Sequence, residues 1–251
     1  MSGLHSFELA ATDGKLIRGD RAMGKNRQIL FITGFLSKRW GNKSKALAQW
    51  CQEQGWGFCC YDVRGFGDSE GTFTDYSLSD WVADARLVVD ALKAGPTMTI
   101  VGNSLGSWIA WLIAQEFELV DRLILIAPAF NMMGVRATQI APERRQAWQS
   151  TGWMPWDDDP LHKDWALSWK WVEESEAYWQ ATFGRLRPVR TTILHGLQDT
   201  VILPDGSREF ARLLLAKAPT YPIDLNLIPG DHRLSSPEHV ERFHKLVLGQ
   251  P

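Results

Sequence analysis

A serine flanked by two glycines follows a short apolar run near the middle of the sequence. Ser104 is the third residue of Gly102-Asn103-Ser104-Leu105-Gly106, after the strand-like run 97–101 and before a helix-length segment. A serine in such a sharp strand-to-helix turn needs small neighbours, and the turn lifts its hydroxyl above the edge of a sheet. The following helix directs free N–H groups at the reacting centre. We therefore predict that Ser104 is the nucleophile of an acyl-transfer reaction.

A serine hydroxyl is a weak nucleophile until a neighbouring base takes its proton, so a catalytic histidine is expected. His232 follows the last strand-like run in the turn Pro229-Gly230-Asp231-His232-Arg233 and is predicted to be that base. His195, at the end of an earlier run, is interpreted as a packed histidine or one that supports the site. The other histidines lie before the sheet core, in a predicted insertion or in the last predicted helix: His5, His162, His239 and His244.

The histidine in turn needs a carboxylate that fixes its tautomer and stabilises its charged form. Asp199 is predicted to supply it, because it follows a strand end and a glycine turn in His195-Gly196-Leu197-Gln198-Asp199. With Asp199 as the acid, the three residues follow one another along the chain in the order serine, acid, histidine. This order is typical of proteins whose nucleophilic serine lies in a strand-to-helix turn. Asp205 is the rival, although it suits the cap of the next helix better, and Asp231 suits a loop-shaping role.

Two backbone N–H groups must hold the negative oxygen that develops when the serine attacks a carbonyl. The N–H of Leu105, directly after the nucleophile, is predicted to be one of them. The loop Gly34-Phe35-Leu36-Ser37, which follows a buried strand-like run, is predicted to provide the other through the N–H of Phe35. Neither donor leaves a side-chain signature, so both predictions follow from position alone.

Short β-rich runs alternate with amphipathic, helix-length segments along most of the chain. This alternation predicts an α/β fold with a mostly parallel sheet, an opening antiparallel hairpin around Thr12-Asp13-Gly14, and helices on both faces. Ser79 is predicted to cap a helix over 80–93 that ends at Gly95-Pro96. With 251 residues, of which 45% are hydrophobic, the whole chain 1–251 is expected to form a single domain.

The stretch 131–187 breaks this alternation. It carries 7 of the 13 tryptophans and an acidic, proline-bounded kink over 156–160. We interpret it as a helical lid inserted into the single domain. Trp165, Trp169 and Trp179 recur near helical spacing, which usually indicates packing against a core. We nevertheless expect the lid to face the cleft in part and to favour acyl chains or aromatic groups over sugars or ions.

The segment Asp62-Val63-Arg64-Gly65-Phe66-Gly67-Asp68-Ser69 also gathers carboxylates, an arginine and glycines. It could form a clamp for an anion or for the substrate. It could instead be a turn whose Asp–Arg pair and glycines shape a loop that borders the active site. We favour the loop-shaping interpretation.

Composition limits the partners and the location. The net charge is −2, which gives no reason to expect nucleic acid or an anionic membrane as partner. Cys51, Cys59 and Cys60 make neither a disulfide framework nor a zinc pattern, and they favour a reducing compartment. Residues 1–10 lack a signal-peptide pattern and no apolar run reaches membrane-spanning length. We expect a cytoplasmic protein with a small-molecule or acylated substrate; the oligomeric state stays open.

Taken together, these motifs resemble the α/β-hydrolase superfamily along nearly the whole chain, and within it the alpha/beta-hydrolase-domain protein ten group. That resemblance implies acyl-protein thioesterase activity and cleavage of acyl glucuronides. Two positions depart from the group: Thr33 stands where proline is usual, and Ser107 where a second glycine follows the serine turn. The stretches that carry the resemblance are 34–37, 61–71, 102–106, 194–199 and 230–233.

The sequence therefore predicts a serine hydrolase that cleaves carboxylic esters or thioesters with an apolar acyl group through an acyl-enzyme at Ser104. This chemistry requires no metal or organic cofactor. C–C bond hydrolysis, or acyl transfer to an acceptor other than water, is the alternative that the same three side chains would also support. A binding protein that has kept the fold without turnover is a third and weaker hypothesis.

Overall fold

The computed structural model describes residues 3–93, 97–156 and 165–249. Gly95-Pro96 and most of the acidic kink, predicted features of the sequence, lie outside these ranges. Within them the chain forms the following strands: β1 (His5–Ala10), β2 (Leu16–Ala22), β3 (Gln28–Ile32), β4 (Gly57–Tyr61), β5 (Met98–Asn103), β6 (Val120–Ile126), β7 (Trp153–Pro155), β8 (Ala166–Ser168), β9 (Arg190–Gly196) and β10 (Ile223–Ile228).

Eight of these strands form one sheet in the order β1-β2-β4-β3-β5-β6-β9-β10. β1 and β2 pair antiparallel as the predicted opening hairpin, and β2 pairs antiparallel with β4. From β4 to β10 all neighbours are parallel. The central strands β3 and β4 are buried along their full length, which explains their continuous apolar sequences.

Helices cover both faces of the sheet, as predicted. One apolar core lies between the sheet and α2, α3 and α7, and the other lies beneath α1 and α8. The described helices are α1 (Asn42–Gln54), α2 (Leu78–Leu92), α3 (Leu105–Ala114), α4 (Met132–Gln139), α5 (Pro142–Thr151), α6 (Trp169–Ala181), α7 (Asp205–Lys217) and α8 (Pro237–Leu248), with a 3₁₀ turn at Phe73–Asp75.

The start of α2 differs from the prediction that Ser79 caps it. Ser77 is the capping residue, and its N–H and hydroxyl both donate to the Asp80 carboxylate, at 2.9 and 3.1 Å. The helix therefore begins at Leu78. Ser79 lies inside the first turn, where its N–H donates to Glu174 at 2.9 Å. Of the two serines near the start of this helix, Ser77 lies three residues before an acidic side chain and forms the cap.

The predicted lid segment contains α4, α5 and α6, and also a small antiparallel sheet of β7 and β8. The predicted helical insertion therefore also contains two short strands, which the sequence did not predict. Each of these strands has only three residues, and such short strands leave no alternating pattern in the sequence. The small sheet is tied to α5, because the Trp148 indole N–H donates to the Leu167 carbonyl at 2.8 Å.

All three cysteines are buried and carry free thiols. Burial raises the pKa of the Cys51 thiol to about 12 and raises those of Cys59 and Cys60 further. Among the described residues, no helix is long and apolar enough to cross a membrane. Within the same residues, no group of three histidine, cysteine or acidic side chains is arranged to hold a metal ion.

Candidate active site

Three side chains that are distant along the chain meet at the carboxyl-end edge of the parallel sheet. Ser104 follows β5, Asp199 follows β9 and His232 follows β10. His232 Nε2 lies 3.1 Å from the Ser104 Oγ, and His232 Nδ1 lies 2.7 Å from Asp199 Oδ2. With the proton on Nδ1, the imidazole donates to the carboxylate and accepts from the serine hydroxyl. This is the geometry that a base-activated hydroxyl nucleophile requires.

The backbone at Ser104 adopts a conformation that L-residues rarely occupy, with φ 54° and ψ −119°. The packing around the turn explains its two glycines. A Cβ on Gly106 would lie 2.3 Å from the carbonyl oxygens of both Ile32 and Thr33, and one on Gly102 would lie 2.4 Å from the Cα of Ser107. The chain therefore has no room for larger residues beside the serine, and the strain at Ser104 is held by the surrounding strands.

Ser107, in the first turn of α3, has a structural role in this chain. Its buried Oγ donates to the Ile126 carbonyl and accepts from the Ile126 N–H, both at 3.1 Å. The hydroxyl thereby joins the first turn of α3 to the end of β6. The Ile126 carbonyl also accepts the Ser104 N–H at 2.8 Å, so Ser107 adds a side-chain contact to the backbone bond that already joins the serine turn to β6.

The Asp199 carboxylate is buried and receives hydrogen bonds on both oxygens. Its Oδ1 accepts from the backbone N–H groups of Val201 and Ile202, at 2.9 and 2.8 Å. Burial acts to raise the pKa of Asp199, but hydrogen bonds from His195, His232 and the Ile202 N–H outweigh it and hold the pKa well below its usual range. The group is thus an ionised carboxylate at neutral pH, as an orienting acid must be.

His195 lies fully buried beside this carboxylate. Its Nε2 is 3.1 Å from Asp199 Oδ2 and 2.9 Å from the Ile202 carbonyl oxygen, and its Nδ1 is 2.7 Å from the Ser207 Oγ. The sequence allowed a packed or a supporting histidine, and the contact with Asp199 is of the supporting kind. In the sequence, the four-residue spacing between His195 and Asp199 across the strand end indicated this contact. Nothing in the sequence indicated that Ser207 would contact His195.

The rival acids lie in other environments. Asp205, in the first turn of α7, is exposed and forms an ion pair with Arg208 at 2.5 Å. Asp231 Oδ1 accepts the N–H groups of Arg233 and Leu234, at 3.1 and 3.0 Å, and so shapes the turn that carries His232. Asp199 is thus the carboxylate that contacts the imidazole.

The remaining described histidines are occupied elsewhere. His5 is exposed in β1, His244 stacks on Trp50 with ring centroids 4.1 Å apart, and His239 Nε2 donates to the Pro229 carbonyl at 2.7 Å. His162 lies outside the described residues. Within the described ranges, His232 is the histidine in contact with Ser104.

The two predicted oxyanion donors flank the serine. Leu105 is the first residue of α3 and is buried, while Phe35 lies in the loop after β3 and lines the cavity around Ser104. Gly34 brings that loop close, because a Cβ on it would lie 3.0 Å from the Ser104 Cβ. The Ser37 N–H donates to the Gly34 carbonyl at 3.2 Å and closes the loop into a turn.

A cavity of about 640 Å³ opens beside Ser104 and His232. Its described lining includes three cations, Lys38, Lys43 and Arg233, and one carboxylate, Asp231. Lys43 anchors its wall, because its ammonium donates to the Arg233 carbonyl, and burial lowers the pKa of Lys43 to about 8. A larger cavity of about 1030 Å³, between β10 and α8, contains none of the predicted site residues.

Aromatic rings of the lid segment pack on the other side of the Phe35 loop. Phe35 lies 5.3 Å from Trp156 and 5.4 Å from Trp171, measured between ring centroids. Trp171 also contacts Trp81 of α2 at 4.8 Å. None of the described lid residues lines the cavity beside Ser104. The lid segment therefore contacts the site through Phe35, and its aromatic content mainly reflects packing.

The segment 62–69 shapes a loop. Asp62 accepts the backbone N–H of Arg39 and its guanidinium, both at 2.5 Å, and the N–H of Asp68 at 3.1 Å. Arg64 forms an ion pair with buried Asp84 at 2.6 Å. These charged groups form hydrogen bonds and ion pairs with one another, which agrees with the loop-shaping interpretation. Arg39 was missed because it lies 23 residues before its partner, with no local pattern to connect them.

Comparison with known families and proteins shows what this chain is similar to. Residues 25–155, just over half of the chain, match the model of the family described as serine aminopeptidase S33. The rat protein named palmitoyl-protein thioesterase ABHD10, mitochondrial, is 27% identical over 197 residues, covering 72% of this chain and 62% of that protein. The chain thus spans less than two thirds of that relative's length. The resemblance predicted from the sequence motifs is confirmed.

Solved structures give the same picture of the fold. The mouse alpha/beta hydrolase domain-containing protein 10 superposes with a TM-score of 0.84 at 22% identity, covering 98% of this chain and 97% of that one. Est1E from Butyrivibrio proteoclasticus, solved with ferulic acid bound, superposes with a TM-score of 0.75 at 21% identity, covering 97% and 98%. At such identities the likeness establishes the fold alone, and the predicted fold class is confirmed.

Proposed function

Since the chain belongs to the serine aminopeptidase S33 family and is a hydrolase with an α/β-hydrolase fold, we propose that it cleaves carboxylic esters or thioesters through an acyl-enzyme at Ser104. The observation that carries this proposal is the 3.1 Å contact between His232 Nε2 and the Ser104 Oγ, continued by the 2.7 Å contact to Asp199. In this arrangement a hydroxyl, a base and an ionised carboxylate stand in hydrogen-bonded series.

The proposed reaction has two acyl-transfer steps. Ser104 attacks the substrate carbonyl while His232 takes its proton, and the resulting imidazolium then protonates the leaving alcohol or thiol. Water, deprotonated by the same imidazole, releases the acid and restores the serine. Asp199 stabilises the imidazolium in both steps, and the N–H groups of Phe35 and Leu105 hold the oxyanion. Each such donor typically contributes about 10²–10³ in turnover.

The charges of the cavity favour esters and thioesters over peptides with a free amino terminus. An aminopeptidase must bind the substrate's ammonium group, which calls for an available carboxylate. Among the described lining residues, the three cations Lys38, Lys43 and Arg233 outnumber the one carboxylate, Asp231, whose Oδ1 already accepts two backbone N–H groups. A cationic substrate would therefore be repelled. The name palmitoyl-protein thioesterase of the rat relative agrees with a thioester substrate.

We further propose that residues 131–187 act as a lid and that the acyl group is apolar. Support comes from the aromatic contacts of Trp156 and Trp171 with Phe35, whose backbone N–H is the proposed oxyanion donor. An acyl chain leaving the reacting carbonyl on that side would meet mainly aromatic rings, with the Arg136 guanidinium over the Trp156 ring, 4.9 Å from its centroid. The polar cavity on the other side would then receive the leaving group and the attacking water.

A cytoplasmic location remains part of the proposal. The three free, buried thiols suit a reducing compartment. The word mitochondrial in the relative's name describes that protein. Fractionation of cells that produce the native protein would test the location.

The nucleophile is tested with a fluorophosphonate probe, which forms a covalent bond with activated serines. The wild type should be labelled and Ser104→Ala should not. Ser150→Ala, at an exposed serine of α5, is the control and should keep the label. Equal labelling of the wild type and Ser104→Ala would overturn the proposed function.

The acyl and leaving groups are tested with p-nitrophenyl esters of increasing chain length, acyl-CoA thioesters and aminoacyl p-nitroanilides. We expect kcat/KM to increase with chain length and the anilides to be poor substrates. Fastest turnover of the acetyl ester would contradict the apolar acyl group, and preferred cleavage of the anilides would contradict the charge argument. Product analysis with diketones and added alcohols separates hydrolysis of esters from C–C cleavage and from acyl transfer.

A further inference from the structure

Two histidines contact one oxygen of the Asp199 carboxylate. His232 Nδ1 lies 2.7 Å from Oδ2, and His195 Nε2 lies 3.1 Å from the same atom. The other oxygen, Oδ1, is held by two backbone N–H groups of its own loop. Apart from His232 itself, His195 is therefore the side chain that fixes Oδ2 among the described residues.

The partners of His195 determine where its proton lies. Its Nε2 faces two acceptors, Asp199 Oδ2 and the Ile202 carbonyl oxygen, so Nε2 must carry a proton. Its Nδ1 faces the Ser207 Oγ at 2.7 Å, and the serine hydroxyl can donate to it. A neutral imidazole thus has both nitrogens satisfied. His195 and Ser207 are fully buried, and Asp199 is 2% exposed, so water does not compete for these bonds.

We propose that His195 is a positioning residue for the reaction: its Nε2–H holds Asp199 Oδ2 in line with His232 and draws part of the negative charge away from that oxygen. This rests on the role given to Asp199 in the proposed function. Ser207 fixes the orientation of the His195 ring. The chain thereby places a second imidazole on the same carboxylate oxygen that contacts His232.

The charge effect has a direction. Without the His195 N–H, more negative charge on Oδ2 faces His232 and favours its protonated form, which cannot act as a base. The acidic limb of the kcat/KM profile would then move to higher pH. Among the described residues, Asp199 is the titratable group that touches His195, and His232 acts through it. The neighbouring strand β10 places Leu227 opposite His195, and α7 contributes Ser207.

Two amide variants separate positioning from packing. The amide nitrogen of His195→Gln reaches about as far as Nε2 and can donate to Asp199, whereas the shorter amide of His195→Asn reaches the Nδ1 position near Ser207. Both are polar and smaller than imidazole. Their difference therefore reports the bond to Asp199 rather than the filling of the site. His5→Gln, at an exposed strand position, is the control for loss of a histidine.

The measurements are kcat, KM and the pH profile of ester hydrolysis, with melting temperatures to verify folding. We expect His195→Asn to lose about 10- to 100-fold in kcat, the range known for hydrogen-bond partners behind functional histidines in metal sites, with little change in KM. Its acidic limb should move to higher pH. His195→Gln should recover most of the rate and keep the wild-type profile. Equal profiles for the two variants would overturn the proposal.

Ser207→Ala provides a second measurement if the histidine variants do not fold. It removes the contact that orients the His195 ring and leaves Asp199 and His232 in place. We expect a several-fold loss in kcat at unchanged KM, and wild-type kcat in this variant would contradict the proposal. Failure of the proposed function is distinct, because it would appear as probe labelling of Ser104→Ala, whatever the His195 variants do.

Discussion

The proposed catalytic edge of the sheet and the proposed aromatic lid segment are held together by different kinds of contact. At the edge, Ser104, Asp199 and His232 each follow a parallel strand and are held by directed hydrogen bonds of 2.7–3.1 Å. In the lid segment, Trp156 and Trp171 are held by ring packing. Within the described part of the chain, the buried indole N–H groups of both have no hydrogen-bond partner.

This difference implies that the two regions tolerate change differently. Directed bonds at the edge make single polar atoms decisive for the reaction, while the total volume of the side chains matters less. Packing in the lid segment makes volume decisive for stability, while the orientation of individual polar atoms matters less. Polar substitutions at the edge should therefore affect activity more than stability, and truncations of the packed rings in the lid segment should affect stability more than activity.

The largest expected effect is that of Asp199→Asn. This change keeps the size of the side chain, but the amide favours the wrong tautomer of His232, so kcat should fall by about 10⁴-fold. Ester hydrolysis and thermal unfolding, measured on the same preparation, check it. A variant that kept more than a tenth of wild-type kcat would show that the edge does not depend on this directed bond.

Trp171→Ala should break the lid segment's packing. The side chain is 1% exposed and contacts Phe35, Phe73 and Trp81, so its loss should cost about 3–5 kcal/mol of unfolding free energy. Trp153→Ala, at a residue 47% exposed, is the control and should cost about 0.5 kcal/mol or less. If Trp171→Ala unfolds like the wild type but loses activity, the lid residue serves the reaction rather than packing.

Gly106→Ala tests whether backbone crowding holds the serine turn. The new Cβ would meet two carbonyl oxygens at 2.3 Å, and overpacking of this kind costs about 1–3 kcal/mol. Gly206→Ala in α7 is the matched control, because a Cβ there meets nothing within 4 Å. Its unfolding free energy should be unchanged or slightly higher. Similar losses in both variants would show that glycine removal itself, rather than the crowded turn, is responsible.

The smallest expected effect is a pH dependence of stability. Burial opposes ionisation of Asp199, but its hydrogen bonds prevail and keep its pKa below the ordinary 3.8. The native state then binds fewer protons than the unfolded state, so the carboxylate stabilises the fold above pH 3.8 and less as the pH falls below it. The gap in melting temperature between the wild type and Asp199→Asn should narrow from pH 7 to pH 3. A constant gap would contradict the assignment.

The sequence was informative where position follows from local rules. Ser104 and His232 could be located because each stands at a strand end beside glycine, and parallel strands bring such ends together. The alternation of runs likewise predicted the sheet and the opening hairpin. The roles of these side chains stay predictions until the probe and the variants are measured, but their proximity was foreseeable.

Other features depend on contacts that no local pattern encodes. β7 and β8 are too short for a periodic signal, and Ser207 meets His195 only because α7 packs back against the sheet. The orientation of Trp171 could not be predicted either, because aromatic residues give the same sequence pattern whether they pack in a core or line a cleft. Tertiary packing decided each of these cases.

The burial of every native thiol has a practical consequence. A thiol-reactive dye should leave the folded wild type unlabelled, because Cys51, Cys59 and Cys60 are inaccessible and disfavour the thiolate. A cysteine introduced at Val201, 68% exposed on the rim of the cavity, would then be the single attachment point. A fluorophore there would report in real time on the loop beside Asp199 while substrate enters and product leaves.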